Sequence, residues 1–241
     1  MKLLKPIALL VFLLSTTLSC AQWGNGKKMK GNGDITTETR STGSYDGLKA
    51  AGPMDFKLVQ GTEGEISIKG DSNLMEYIII EVKGDKLIVK VKDGYNLKPS
   101  QNIEITVPYK SISSVSLAGS GDIENSGIIK ADKFKVALAG SGDIKLNAAS
   151  QSLESSIAGS GDIKLIGSTK NLTTKIAGSG DFDGSHLKST NVTAKITGSG
   201  SANVVSNGEL KVRITGSGDV KYSGKPTNKD TKITGSGSVS N

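Results

Sequence analysis

The sequence predicts an all-β fold: a parallel β-helix or β-solenoid, right-handed, whose coils of about 19 residues bend at Gly-Ser-Gly. The first observation is a repeat. Gly-Ser-Gly begins at residues 119, 140, 159, 178, 198, 216 and 235, at intervals of 21, 19, 19, 20, 18 and 19, a spacing that chance does not hold over so long a stretch. The second is parity. Phe134, Val136, Leu138, Gly140, Gly142, Ile144 and Leu146 share one face of an extended chain, with Lys135, Ser141, Asp143 and Lys145 opposite. The runs from Leu153 to Leu165 and from Leu210 to Tyr222 repeat the scheme. Period-two alternation is a strand signature. The third is composition. With 31 glycines and 4 % aromatic residues in 241, a thick core of large side chains is disfavoured, yet recurring branched aliphatics argue against disorder.

Taken in order, the chain opens on an address. Residues 1–21 carry a basic start, an apolar run from Pro6 to Leu14 and small residues from Ser15 to Ala21, the pattern of a secretory signal peptide. The apolar run is far shorter than the roughly 18 residues that span a bilayer, so no permanent transmembrane anchor is expected. Two exits fit. Cleavage after Ser19-Cys20-Ala21 leaves a soluble protein beginning at Gln22, whereas Cys20 is the candidate lipidation site of a lipoprotein, with Thr17 where an aliphatic residue is usual. Residues 22–36 are rich in Gly, Asn and Lys without an apolar period and read as a flexible lead-in. Residues 37–114 read as irregular solenoid coils, with the runs Phe56/Leu58, Ile66/Ile68, Ile78/Ile80/Val82, Leu87/Val89/Val91 and Ile103/Ile105/Val107. Residues 115–241 are the regular repeat, and the two parts are expected to form one body.

The glycines explain the coil. Thirteen straight residues would run roughly 43 Å, too long for a 19-residue turn, so the strand must bend, and residues without side chains mark the corner. Short pieces such as Asn147–Ser152, Ile166–Asn171 and Val205–Glu209 read as the turns between runs. No coil can bury its own inner face, but stacking coils about 4.8 Å apart sets Ile on Ile and Gly on Gly. Antiparallel hairpins in a sandwich also alternate; identical motifs at identical phase favour the solenoid. The last coil, Ile233 to Val239, lacks a cover, which invites self-association through it.

Tyr45-Asp46-Gly47-Leu48, Phe56-Lys57-Leu58-Val59-Gln60-Gly61, Ile103-Glu104-Ile105-Thr106-Val107-Pro108 and the serial Ala-Gly-Ser-Gly-Asp together resemble the secreted bacterial family named "putative auto-transporter adhesin, head GIN domain", over Thr37 to Val239. The resemblance implies a β-helical cell-envelope protein, mostly of Bacteroidota-like bacteria, and supplies no catalytic residues. The chain shows no obvious translocator barrel, so a self-sufficient autotransporter is not expected.

Chemistry is sparse. Formal charge is +7, from 30 Lys and Arg against 23 Asp and Glu, with both signs interspersed, and nucleic acid is not an expected partner. One Cys excludes an internal disulfide framework, and one His excludes a His-rich metal centre. Stacked in register, Asp122, Asp143, Asp162 and Asp181 would form a ladder of like charges, which is unfavourable. Calcium could relieve it, but one carboxylate per coil falls short of the six to eight oxygens calcium takes. Counter-charge from Lys145, Lys164 and Lys221, or hydrogen bonds to backbone, answers the same need, so no metal or other cofactor is expected. A Ser–His–acid triad would have to use His186, in the irregular stretch Asp183–Asn191, where a solvated loop histidine is expected. No catalytic residues are assigned. The reading is a non-catalytic exported envelope protein, in the periplasm, on the outer-membrane surface or outside the cell. It would serve as adhesin or scaffold and meet a surface glycan or envelope protein; the alternative is a carbohydrate-active protein with a shallow polysaccharide site.

Overall fold

The computed structural model describes residues 26–241, so the address segment and Cys20 lie outside the described residues. From Ser114 onward the chain winds as stacked parallel coils. Strand Ile144–Gly159 lies beside Ile163–Gly178 with Ile144 on Ile163, Leu146 on Leu165, Leu153 on Leu172, Ile157 on Ile176 and Gly159 on Gly178. Like residues meet like because every coil presents the same parity inward. From Val115 to Val220 the inward aliphatics and Phe134 and Phe182 are at most 2 % exposed and form one continuous core with the N-terminal part, whereas Ile233 on the last coil is exposed.

Strands stop at the first glycine of each motif and resume three or four residues later, for example at Ile144, Ile163 and Phe182 just after the aspartate and at Asp219 itself, so Gly-Ser-Gly is the corner. Gly159 has φ of +131°, and a Cβ there would lie 2.3 Å from the carbonyl oxygen of Gly140 on the preceding coil. A Cβ on Gly161 would lie 2.0 Å from the Gly142 oxygen. The approach is close because the Gly140 carbonyl accepts two amides of the next corner, Ser160 at 2.9 Å and Gly161 at 3.0 Å.

Departures from 19 residues are local. In the 21-residue interval Ile123 pairs with Ile144 but Ile129 with Ala148, so two extra residues loop out beside Gly127 and leave Ile128 exposed. In the 20-residue interval Lys164 pairs with Asp183 but Ile166 with His186, a one-residue bulge. Two of the pieces expected to be turns are different. Asn147–Ser152 and Ile166–Asn171 lie inside continuous strands that pair coil to coil as a further extended side. Their inward positions hold small groups, Ala148 and the hydroxyls of Ser150 and Thr169, which bond to each other at 3.1 Å, so strand periodicity is masked by weak hydrophobicity. Only Val205 to Glu209 breaks the strand.

The N-terminal part mixes two directions. Gly47–Gly52 runs parallel to Ser114–Gly119, and Met54–Gln60 runs parallel to Ile123–Ser126, so this segment is a coil in register with the repeat. Lys86–Val91 and Ile103–Tyr109 stack on its other side, also parallel. The runs Ile66/Ile68 and Ile78/Ile80/Val82, expected as coils, instead run antiparallel: Glu65–Asp71 against Ile35–Ser41 and Ile103–Tyr109, and Ile78–Lys83 against Lys86–Val91 in a hairpin. Reversed direction ends the parallel stack and covers its core.

The lead-in is also corrected. Lys27–Lys30 pairs in parallel with Tyr95–Lys98, and Ile35–Ser41 is already strand. The segment between them is pinned by buried Asp71, whose carboxylate accepts the Ser100 hydroxyl at 2.7 Å, the Ser100 amide at 2.8 Å and the Gly33 amide at 2.7 Å. The Ser100 hydroxyl above all, with these amides, outweighs burial and holds this carboxyl below the usual range. A folded-state pKa below the unfolded one stabilises above the unfolded value, and that contribution is lost as pH falls through the folded pKa. Asp71→Asn is expected to lower thermal stability at neutral pH and to flatten its fall below about pH 4, read as melting temperature across the acid range.

Candidate functional site

The repeated geometry of the corners sets out a row of carboxylates. Each aspartate oxygen accepts the backbone amide at the same position of the next coil: Asp143 to Asp122 at 2.9 Å, Asp162 to Asp143 at 3.2 Å, Asp181 to Asp162 at 2.8 Å and Ser201 to Asp181 at 2.7 Å. Asp219 likewise takes the Ser238 amide at 2.8 Å. The aspartate therefore bonds the backbone across coils. One member escaped the sequence reading. Asp55 accepts the Asp122 amide at 3.1 Å, because Gly52-Pro53-Met54-Asp55 is a degenerate copy of the corner, with Gly52 in register with Gly119. The covering strands inserted between the two copies hide the spacing.

Counter-charge is only partly where it was expected. Lys145 stands 3.8 Å from Asp143, but Lys164 reaches across to Asp183 at 3.2 Å, and Lys221 makes no ion pair with Asp219. Burial pushes Asp183 up, yet the Ser185 hydroxyl and amide and Lys164 prevail and hold its carboxyl below the usual range. Among the described residues, no three His, Cys, Asp or Glu side chains form a group that could hold a metal ion. Since an asparagine oxygen accepts the same amide without like charge on its neighbours, Asp162→Asn should leave melting temperature unchanged or raised. Asp162→Ala should lower it by roughly 2–4 °C.

His186 lies on the strand bulge within Phe182–Gly198 rather than in a loop, and it is exposed. Its Nδ1 is 3.0 Å from Ser185 Oγ, and that hydroxyl donates to Asp183 at 2.6 Å. Serine sits between acid and histidine. A hydrolytic triad instead needs histidine in the middle, taking the serine proton while the acid orients it.

Three surface depressions complete the site. One of about 290 Å³ lies along the aspartate row, between Asp143, Asp162, Asp181 and Lys164. A second of about 280 Å³ has Gln60, Lys110, Ser111 and Ile128 at its walls, and a shallower third of about 540 Å³ adjoins it across Lys130. Polar groups repeated coil after coil suit many weak contacts better than one deep, enclosed site.

A family model described as "Putative auto-transporter adhesin, head GIN domain" matches residues 44–226. The chain belongs to this family. Solved structures similar to this head GIN domain include a putative adhesin from Bacteroides fragilis, at 21 % identity with TM-score 0.82, covering 88 % of this chain and 99 % of that one. A putative lipid binding protein from Parabacteroides distasonis is similar at 26 % identity, TM-score 0.71, with 89 % and 99 % covered. A putative adhesin from the same organism has 24 % identity and TM-score 0.71, over 89 % and 99 %. No curated protein matches the sequence. Among the described residues of the head GIN domain, no helix is long and apolar enough to cross a membrane.

Proposed function

We propose that this head GIN domain is an exported, non-catalytic component of the cell envelope that acts as adhesin or scaffold, holding a surface glycan or envelope protein through many weak contacts. The observation that carries the reading is repetition: the aspartate row and its neighbours recur at coil spacing beside open depressions. Repeated weak contacts gain strength through effective concentration. The family description and the adhesin labels of its structural neighbours agree with it. Export rests on the address in residues 1–21, with anchoring through a lipid on Cys20 as the second exit; labelling with a fatty-acid analogue distinguishes the two. The lipid-binding label of one relative is not carried over, since the inward side chains of the described coils form one packed cluster.

An array of bacterial and host glycans, run beside a deletion strain scored for surface properties and aggregation, tests the role. Binding on the array or loss of aggregation is expected; silence in both would remove it. The same reading includes a second copy meeting strand Asn228–Gly235, which is exposed along its whole length. Sedimentation across a wide concentration range should show mass rising with concentration.

A further inference from the structure

We propose that the flat side leading into the Gly-Ser-Gly corners binds an acidic polysaccharide, laid along the solenoid axis over a column of four cations: Lys175, Lys195, Arg213 and Lys232. This rests on the adhesive reading and names its ligand class. Register sets the four side by side on successive coils, Lys175 against Lys195, Lys195 against Arg213 and Arg213 against Lys232. Adjacent strands lie about 4.8 Å apart, and like charges directly opposite on a sheet repel.

The fold does not demand this cost. The same column carries Ser116, Ala137 and Ser156 on the preceding coils, which are paired just as regularly. The charge is cancelled for only two of the four. Lys175 meets Glu154 at 2.6 Å and Arg213 meets Asp230 at 2.5 Å, but Lys195 and Lys232 have no carboxylate within 4.0 Å among the described residues. Lys211, outward on the same strand as Arg213, adds a fifth cation.

The flanking column on the corner side, Ala177, Thr197, Thr215 and Thr234, is short and polar. The other runs Glu154, Thr173, Thr193, Lys211 and Asp230, and its two carboxylates are the partners of Lys175 and Arg213. The threonines offer hydroxyls that both donate and accept. An extended polyuronate carries one carboxylate per sugar, so it presents a line of anionic groups to a line of cations. Single-stranded nucleic acid would want aromatic platforms, and a membrane surface would want apolar side chains to insert. These columns carry neither.

The test measures binding of the full chain to polygalacturonate, to neutral dextran, to a single-stranded oligonucleotide and to phosphatidylglycerol vesicles. The column variant replaces Lys175, Lys195, Arg213 and Lys232 with Ser, the residue this column already holds at 116 and 156. A control replaces Lys57, Lys170, Lys188 and Lys221, removing equal charge elsewhere. Polygalacturonate is expected to bind and dextran not, with affinity falling as salt rises. The column variant should lose about tenfold or more, and the control less than about threefold, since distant charges are screened. Equal loss in both variants would reduce the effect to net charge and overturn the proposal. So would equal or tighter column-dependent binding of the oligonucleotide or vesicles, or no binding of polygalacturonate. In that last case a hit on the glycan array keeps the adhesive reading while the column falls; silence on the array and in the deletion strain removes both.

Discussion

Gly159→Ala is expected to cost more than about 4 kcal/mol, whereas Gly43→Ala should stay within about 0.5 kcal/mol. Both changes add one methyl group. At Gly43 the new carbon meets nothing within 4 Å. At Gly159 it arrives 2.3 Å from the Gly140 carbonyl oxygen, on a backbone with φ of +131° that L side chains rarely adopt. Positive φ alone costs about 1–3 kcal/mol. The collision adds to it, because the oxygen belongs to a backbone held by two hydrogen bonds from the same corner and cannot yield alone. Coils interact chiefly with their neighbours, so a wedge here should loosen both flanking coils. Thermal unfolding gives the size of the loss, and hydrogen exchange its place. An unchanged melting temperature in Gly159→Ala would mean that the corners are not in contact.

Phe182→Ala is expected to cost about 3–5 kcal/mol. Phe182 is fully buried and stacks between Ile163 on one coil and Ala202 on the next. It also fills the space two residues along its own strand: a Cβ on Gly184 would lie 2.7 Å from the Phe182 ring. Ring, Ala202 and Gly184 form one packing unit, in which a large side chain is matched by small neighbours. Removing the ring leaves a cavity that no adjacent residue can enter. Gly184→Ala should be damaging by itself and less so beside Phe182→Ala, because the clash with the ring is then gone and only the Asn203 carbonyl oxygen at 3.2 Å remains. Such non-additivity is the mark of residues in contact, and strictly additive losses in chemical denaturation would show that the ring packs elsewhere.

The repeat was legible because the same physical demand recurs on every coil. Glycine is needed wherever two backbones touch at a corner, and an aliphatic side chain wherever one coil rests on the next. The Asp143 column was legible as a ladder for that reason, and hydrogen bonding to backbone was among its expected roles. That the bond crosses to the next coil was not legible, since a carboxylate flanked by lysines in sequence has several partners within reach. Lys164 illustrates it, pairing with Asp183 rather than Asp162. Asp55 went unseen because the strands between Gln60 and Ser114 separate it from the repeat it belongs to. Asp183, Ser185 and His186 came together through one inserted residue, whose bulge no alternation pattern announces.

By itself, then, the chain's order of residues determined a stacked β architecture, its corners and the parity of its core, all of which follow from steric rules acting over a few residues. Tertiary structure alone decided how the stack ends. Isoleucines spaced by two at Ile66/Ile68 and Ile78/Ile80 serve parallel and antiparallel neighbours equally well, and only the identity of the adjacent strand fixes direction. It likewise decided that Lys27–Lys30 becomes a strand, because a short edge with a single inward residue, Met29, draws its order from backbone hydrogen bonds that another segment must supply.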